Sequence, residues 1–185
     1  MIGYAFCGSF CTAAESMKIL ALLSANTELR PIVSQSFSST DTRFGRAVDL
    51  VAKIEGICGR RAIRTVAQAE PLGPARPLDA LVIAPCTGNT LAKLASGITD
   101  TSVTMAAKAH LRQSRPLLIS LATNDAMSAN LKNISTMLEK KGVFFVPMKQ
   151  DDCLRKPHSL VAEFEMIPEC LSSALAGKQQ RPLFV

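Results

Sequence analysis

Aromatic side chains are scarce in this 185-residue chain, which contains one tyrosine and no tryptophan. Bases of single-stranded nucleic acids bind proteins largely by stacking on such rings, so the composition offers no stacking platform. The 21 basic and 15 acidic residues give a net charge of +6, but the charges are spread along the chain. We therefore expect no nucleic-acid partner, and an anionic small ligand suits the charge equally well.

Long apolar runs and paired cysteines are also missing. No segment approaches the roughly 20 apolar residues that span a bilayer, and the N-terminus lacks the basic start of a signal peptide. The six cysteines form no CxxC pair and have no neighbouring histidine, which argues against a zinc site and for reduced thiols. The sequence predicts a cytoplasmic protein that has no membrane partner and binds no metal.

Short apolar runs alternate with helical patterns along the chain. The run at residues 80–84 has no polar position, which is typical of a central parallel strand, and Pro85 is expected to end it. Because helices are predicted between the strands, the fold class is α/β, with a doubly wound parallel sheet of five or six strands and helices on both faces. The other predicted strands are residues 2–7, 29–34, a short one near Ile63, 116–121 and, last, 143–147.

We expect one domain over residues 1–177, followed by a C-terminal tail, 178–185. The three prolines at positions 71, 74 and 77 predict a rigid connection that is neither helix nor strand. Asp100 is the expected N-cap of a helix over residues 101–112. Apolar residues on more than one face of that helix predict self-association.

Two loops at predicted strand ends have the composition of a ligand site. The first strand runs into Gly8 and Ser9, a pattern that suits a phosphate. The strand at 80–84 runs into a second polar loop, which contributes Pro85, Thr87, Gly88, Asn89 and Thr90. Open α/β sheets bind ligands at the carboxyl ends of their strands, which favours a functional site. The alternative is that these are ordinary helix caps, with Asn89 capping a helix that begins near Thr90.

Arg43 is the charged residue best suited to bind an anion. At the start of a predicted helix over residues 44–58, its guanidinium can hold a carboxylate or phosphate through two parallel hydrogen bonds. The alternative is a surface arginine that pairs with Asp41 or Asp49.

Several strings of residues resemble known families. PCTGNT (85–90) resembles a loop of the flavoprotein family that includes cysteine-peptide decarboxylases, phosphopantothenoylcysteine decarboxylase and flavin prenyltransferases, and residues 122–127 are similar to its Pro-Ala-Met-Asn-x-x-Met clamp, with Asn124 and Met127 retained. A closer resemblance, over nearly the whole chain, is to the family of B subunits of bacterial dipicolinate synthase. It rests on TDTRFG (40–45), AEPLGP (69–74), MAAKAHLR (105–112), TNDA (123–126), FVPMKQDD (145–152) and GKQ (177–179).

This resemblance implies a flavodoxin-like, Rossmann-like three-layer α/β/α fold and a role in making dipicolinate in the mother cell of a sporulating bacterium. The resemblance to the flavoprotein family also implies FMN as a cofactor. Gly8, Ser9 and Ser34 match that family's flavin-phosphate contacts, and Thr87, Asn89 and Thr90 match its central loop. The decarboxylases carry a catalytic histidine between the second and fourth strands. This chain has only His110 and His158, so decarboxylation is not expected and the catalytic residues stay unassigned.

The leading functional hypothesis is a subunit of an oxidoreductase complex that oxidises a dihydrodipicolinate-type intermediate to dipicolinate and reduces NADP. A dehydrogenase must hold a dinucleotide, yet neither GxGxxG nor GxxxxGK[ST] occurs here, so NADP is expected on a partner. The resemblance identifies that partner as the A subunit. This chain would then bind a dicarboxylate, and the candidate substrate-binding residues are Arg43, Asn89, Lys108, Arg112 and Asn124.

Two other functions remain open. One is a self-sufficient FMN-dependent decarboxylase or prenyltransferase. The other is a non-catalytic subunit that stabilises its partner. The resemblance also implies a homo-oligomer, either a trimer or a multiple of three.

Overall fold

The computed structural model describes residues 1–73, 75 and 78–185. At its centre lies β3 (Ala80–Cys86), which is buried at every position. It pairs in parallel with β1 (Ile2–Phe6) on one side and with β4 (Leu117–Thr123) on the other. The prediction of a central parallel strand at 80–84 is therefore confirmed. The strand does not end at Pro85, however, because pairing resumes at Cys86 after a register shift.

Five parallel strands form the sheet in the order β2-β1-β3-β4-β5, where β2 is Leu29–Val33 and β5 is Val143–Phe145. This is the strand order of flavodoxin-like folds. Two short strands that the sequence did not predict, β6 (Met148–Lys149) and β7 (Leu160–Ala162), bring the total among the described residues to seven. Strands β6 and β7 pair with each other in antiparallel orientation. Strand β7 also pairs antiparallel with the last residues of β4, beyond the point where β5 ends. The sheet is thus larger than predicted and not wholly parallel.

Helices cover both faces of the sheet, as the three-layer prediction requires. On one face α1 packs against α8, and on the other face α6 lies between α4 and α5, with α7 next to α5. Helix α3 packs against α1 and contacts the edge strand β2. The bounds are α1 Ala13–Ser24, α2 Gln35–Ser39, α3 Ala47–Cys58, α4 Val66–Ala69, α5 Gly88–Ser96, α6 Ser102–Leu111, α7 Leu131–Leu138 and α8 Ile167–Leu175.

Several local predictions were wrong in detail. The strand expected near Ile63 is an isolated bridge to Ile32. The N-cap of α6 is Thr101, which exchanges hydrogen bonds with Thr104 in a capping box, whereas Asp100 binds Lys93. Pro71 lies in a short 3-10 helix, Glu70–Leu72, so this part of the proline-rich connection is helical; Pro74 and Pro77 lie outside the described residues.

Self-association was predicted from apolar residues on more than one face of α6, and the packing around this helix removes that reason. Its apolar residues Val103, Ala106 and Ala107 are fully buried within the chain, and Met105 is partly buried and packs against the core. They are therefore not a surface in need of a partner. Self-association stays a prediction that rests on the family resemblance.

An aromatic row links the core to the loop after β1. Tyr4 packs against Phe6, Phe6 against Phe37, and Phe37 stacks on Phe10, with centroid separations of 5.3, 5.4 and 5.7 Å. The Tyr4 hydroxyl hydrogen-bonds Ser16 inside α1, and burial raises the pKa of Tyr4. The row fixes the position of the loop that follows β1.

The segment 178–185, predicted as a tail, runs along β6. Met148 donates to Leu183 O at 2.8 Å and accepts from Val185 N at 3.0 Å. The Gln179 side chain binds both the N–H and the carbonyl of Phe145. Among the helices of the described residues, none is long and apolar enough to cross a membrane.

Candidate functional site

A cleft of about 510 Å³ opens at the carboxyl ends of β1, β3 and β4. Its walls come from the loop after β1, the turn before α3, the N-terminus of α5, the end of β4 and the loop between β6 and β7. The lining residues are Gly8, Ser9, Phe10, Cys11, Thr12, Arg43, Phe44, Thr87, Ala122, Thr123, Asn124, Asp151, Lys156, Ser159 and Val161. The site therefore forms at the sheet edge where ligands of open α/β folds bind.

The loop after β1 presents hydroxyl groups at the start of α1. Thr12 Oγ1 lies 3.1 Å from Ser9 Oγ and donates to Ser9 O at 3.2 Å, which orders both side chains. A Cβ on Gly8 would meet only ordinary contacts at 3.8 Å, so the chain itself does not need glycine there. The glycine instead leaves room for a ligand to approach the backbone.

The central loop combines one cleft residue with several structural ones. Thr87 lines the cleft and is also the N-cap of α5, because its Oγ1 accepts from Thr90 N at 3.1 Å. Asn89 is therefore not the N-cap, and the helix begins at Gly88 and not near Thr90. Asn89 is exposed in the first turn, whereas Thr90 is buried and accepts from the Thr87 hydroxyl.

Gly88 is required by packing rather than by a ligand. A Cβ there would lie 2.5 Å from Asn130 Nδ2, 2.6 Å from Thr123 Oγ1 and 2.7 Å from Asp125 Oδ1. These three side chains form a polar cluster, in which Asp125 accepts from Thr123 at 2.5 Å and twice from Asn130 at 2.9 Å. The cluster holds the end of β4, and Asn124 between its members lines the cleft.

Two other residues predicted to bind cofactor have structural roles. Ser34, which is 7% exposed, caps α2 by accepting from Phe37 N at 3.2 Å. Pro85 is buried and its carbonyl accepts from Cys7 N at 3.3 Å. Among the described residues, the set that lines the cleft includes neither of them, nor Gly88, Asn89 or Thr90.

Arg43 reaches the cleft from a turn and not from a helix start. The turn Thr42–Gly45 precedes α3, and the Arg43 guanidinium lies 4.9 Å from the centroid of the Phe44 ring. The two acids considered as its partners are engaged elsewhere. Asp49 pairs with Arg46 at 2.8 Å, and Asp41 accepts from Ala47 N at 2.8 Å.

A second cation in the cleft was missed by sequence reasoning. Lys156 lies in the loop between β6 and β7 and pairs with Asp151 at 2.6 Å. The hydrogen bond from Lys156 lowers the pKa of Asp151, and the same contact raises the pKa of Lys156. The polar composition of residues 149–158 suggested only a connection. The available signal was the FVPMKQDD string, which reaches into this loop.

Lys108 and Arg112 do not converge on the cleft. Helix α6 starts beside the end of β2, where Ser102 Oγ donates to Val33 O at 2.6 Å, and runs toward the start of β4, where His110 contacts Pro116 O. A helix rises about 1.5 Å per residue, so its last turn lies far from the carboxyl edge. Both side chains line a different pocket. Of the predicted residues, the structure brings together Gly8, Ser9, Arg43, Thr87 and Asn124.

The buried thiols and the buried histidine are poorly suited to catalysis. Burial raises the pKa of the Cys7 thiol to about 11 and also raises the pKa of the Cys86 thiol. Burial lowers the pKa of His110, a fully buried residue of α6. The described residues of the cleft instead offer hydroxyls, an amide, two cations, the Asp151 carboxylate and the exposed thiol of Cys11.

Comparison with known proteins gives this cleft a family context. The Flavoprotein family profile matches residues 10–173. The chain belongs to the Flavoprotein family. The dipicolinate synthase B subunit of Bacillus subtilis (strain 168) is 43% identical over 185 residues, which is 100% of this chain and 92% of the relative.

Two solved structures extend the comparison. The crystal structure of the dipicolinate synthase B subunit from Bacillus halodurans C superposes with a TM-score of 0.91 at 38% identity, covering 100% of this chain and 95% of the other. The FMN-dependent cysteine decarboxylase SpaF superposes with a TM-score of 0.69 at 26% identity, covering 95% and 94%. The flavodoxin-like fold expected for the Flavoprotein family is therefore confirmed.

Proposed function

We propose that this member of the Flavoprotein family is the B subunit of a dipicolinate synthase. In this role it binds a dihydrodipicolinate-type dicarboxylate in the cleft. It works with an A subunit that binds NADP, and the NADP accepts the hydride. The observation that carries the proposal is the 43% identity over the full chain to such a B subunit. The setting is the mother cell of a sporulating bacterium.

The charges of the cleft support a dicarboxylate substrate. Arg43 offers a planar fork for one carboxylate, and Lys156 offers a point charge for another. The Asn124 amide can donate to one polar atom of a heterocycle and accept from another. Holding the substrate at several points fixes its orientation for hydride transfer, which is the contribution expected of a subunit with no dinucleotide fingerprint.

The residues present also fit FMN. Gly8 leaves the backbone open, while Ser9, Thr12 and Thr87 present hydroxyls beside the starts of α1 and α5, an arrangement suited to a phosphate. When bound, FMN would supply hydride or electron-pair chemistry on its ring. The chain's own residues would hold the phosphate and orient the ring, and Asn124 lies where it could contact either FMN or substrate.

A partner has an apolar surface available next to the cleft. Leu154, Phe184 and Val185 are 90%, 56% and 57% exposed, and all three line a surface pocket that shares Asp151 with the cleft. Large exposed apolar side chains gathered in one place mark interaction sites. An A subunit docked there would bring its nucleotide close to a substrate in the cleft.

The experiment is to express this chain with and without a candidate A subunit and to assay NADP reduction on freshly generated dihydrodipicolinate. The proposal expects activity only from the pair. Activity of the A subunit alone at the same rate would overturn it. Substituting Arg43 in the assembled complex separates a substrate-binding subunit from a merely stabilising one, because a stabilising subunit would keep full activity.

A self-sufficient FMN enzyme is the second candidate, and the similarity to SpaF favours it. It would purify yellow and act without a partner. Its weakness is the absence of a histidine from the described residues that line the cleft. His110 is a buried residue of α6, and His158 is exposed outside the lining set.

A further inference from the structure

A second pocket, of about 370 Å³, lies between the end of α5, the last turns of α6, and α7. Leu94 and Met137 form a buried apolar floor, and Leu111 is partly buried beside them. Ile98, which is 46% exposed, stands at its mouth. The volume falls at the lower end of the roughly 300–1,000 Å³ typical of small-molecule sites.

Every charged side chain in this pocket is basic. Lys108, Arg112 and Lys140 line it, and the set of described lining residues contains no acid. Two neighbouring cations outside the pocket pair with acids, Lys93 with Asp100 and Arg115 with Asp79. The three lining cations therefore lie beside the apolar floor without an acid in the described lining set.

The spacing of two of these cations favours an anion in the pocket. Lys108 and Arg112 are four residues apart at the end of α6, so they lie on the same face of the helix and repel each other. Lys140 donates to Leu94 O at 3.1 Å, the carbonyl of a residue in the last turn of α5. An anion between Lys108 and Arg112 would relieve the repulsion and accept charge-assisted hydrogen bonds.

We propose that this pocket is a second ligand site, separate from the cleft, for a small carboxylate with an aromatic or branched apolar body. The carboxylate binds Arg112 and Lys108, and the body packs on Leu94, Leu111 and Met137. The buried apolar floor favours a ligand with a hydrophobic body over a polar one. The inference does not depend on the proposed function, because it involves no residue of the cleft.

Benzoate is a suitable probe, with the uncharged isostere benzamide as its control. Calorimetric titration of the full chain should show a benzoate site that binds benzoate roughly tenfold more tightly than benzamide and is weakened between about 50 and 500 mM salt. The double variant Lys108→Gln/Arg112→Gln should lose the preference for benzoate. Both side chains are on the surface, so this variant is expected to fold.

Three further variants locate the binding. Arg43→Gln separates the two sites, because it should remove any benzoate bound in the cleft and leave the site at Lys108 and Arg112 occupied. Lys132→Gln removes an exposed lysine elsewhere on α7 and should change neither. Ile98→Trp should block the mouth and abolish binding without affecting the fold. Loss of binding in Arg43→Gln but not in the double variant would move benzoate to the cleft and overturn the proposal.

A remaining outcome is that the pocket is an interface between chains. In that case sedimentation equilibrium would show self-association that the double variant abolishes, while benzoate would fail to bind. That result would also overturn the proposal. Equal affinity for benzoate and benzamide would do the same, because the cations would then contribute nothing.

Discussion

Lys156 donates to Asp151 Oδ2 at 2.6 Å, and both residues line the cleft. A ligand carboxylate that binds Lys156 must therefore compete with the carboxylate the lysine already holds. Arg43 comes from a different loop, and the acids near it in sequence bind other groups. Arg43 is thus the stronger anchor for an anion, whereas Lys156 binds an anion only in competition with Asp151.

The Asp151–Lys156 pair should make stability depend on acid pH. A carboxyl group whose pKa is lowered on folding stabilises the protein fully above its unfolded pKa of roughly 3.9, and that contribution disappears as the pH falls through the lower folded pKa. Lys156→Gln should therefore lower the melting temperature slightly at neutral pH and less below about pH 4. Thermal unfolding across this range tests it, with Lys132→Gln as control; a pH-independent difference would contradict it.

Gly88→Ala should destabilise the fold by about 1–3 kcal/mol, because its Cβ would overlap the Thr123–Asp125–Asn130 cluster. Gly56→Ala is the matched control. Gly56 lies within α3 and a Cβ there meets nothing within 4 Å, so alanine should stabilise by about 0.5–1 kcal/mol. Urea denaturation measures both. Similar effects of the two substitutions would show that the cluster can move aside.

Thr87→Ala should cost about 1 kcal/mol of stability, because it removes the hydroxyl that caps α5. Asn89→Ala should be neutral or stabilise by a few tenths of a kcal/mol, since Asn89 is exposed and alanine is the better helix former. Denaturant unfolding of the two variants compares them directly. A larger loss for Asn89→Ala would return the capping role to Asn89.

Arg43→Ala should weaken dipicolinate binding at least tenfold, equivalent to about 1.4 kcal/mol. The control is Arg46→Ala, which removes an exposed arginine that pairs with Asp49 three residues along the chain. Calorimetric titration of each variant gives the affinities. If both substitutions weakened binding equally, the effect would come from net charge and not from the position of Arg43 in the cleft.

Leu154→Asp should weaken association with an A subunit at least tenfold and leave the free chain folded, because Leu154 is 90% exposed. Leu131→Asp, at an exposed position of α7 outside this surface, is the control. Co-purification and sedimentation of the mixed chains report the association. An unchanged complex in the Leu154 variant would place the partner elsewhere.

The parts of the fold that could be predicted are those in which one physical signal dominates. Residues 80–84 are apolar throughout because helices cover both faces of β3, so the sequence alone identifies the central strand. Strands β6 and β7 have only two and three residues and border a polar loop, which leaves no periodicity to detect.

The candidate site was predictable to the extent that strand ends converge. Gly8, Thr87 and Asn124 follow three neighbouring parallel strands, so their meeting at one edge follows from the topology. Charges on helices carry no such information. Lys108 was grouped with Arg43 because both are basic, but the length of α6 carries Lys108 away from that edge.

The aromatic row from Tyr4 to Phe10 also gives the protein a built-in optical probe. With no tryptophan and a single tyrosine, the protein fluorescence excited beyond the absorption of phenylalanine comes from Tyr4, a buried ring whose hydroxyl hydrogen-bonds Ser16. Only Phe6 and Phe37 separate that ring from the cleft residue Phe10. Tyrosine emission from this chain therefore reports on the core directly behind the cleft, and no tryptophan emission overlaps it.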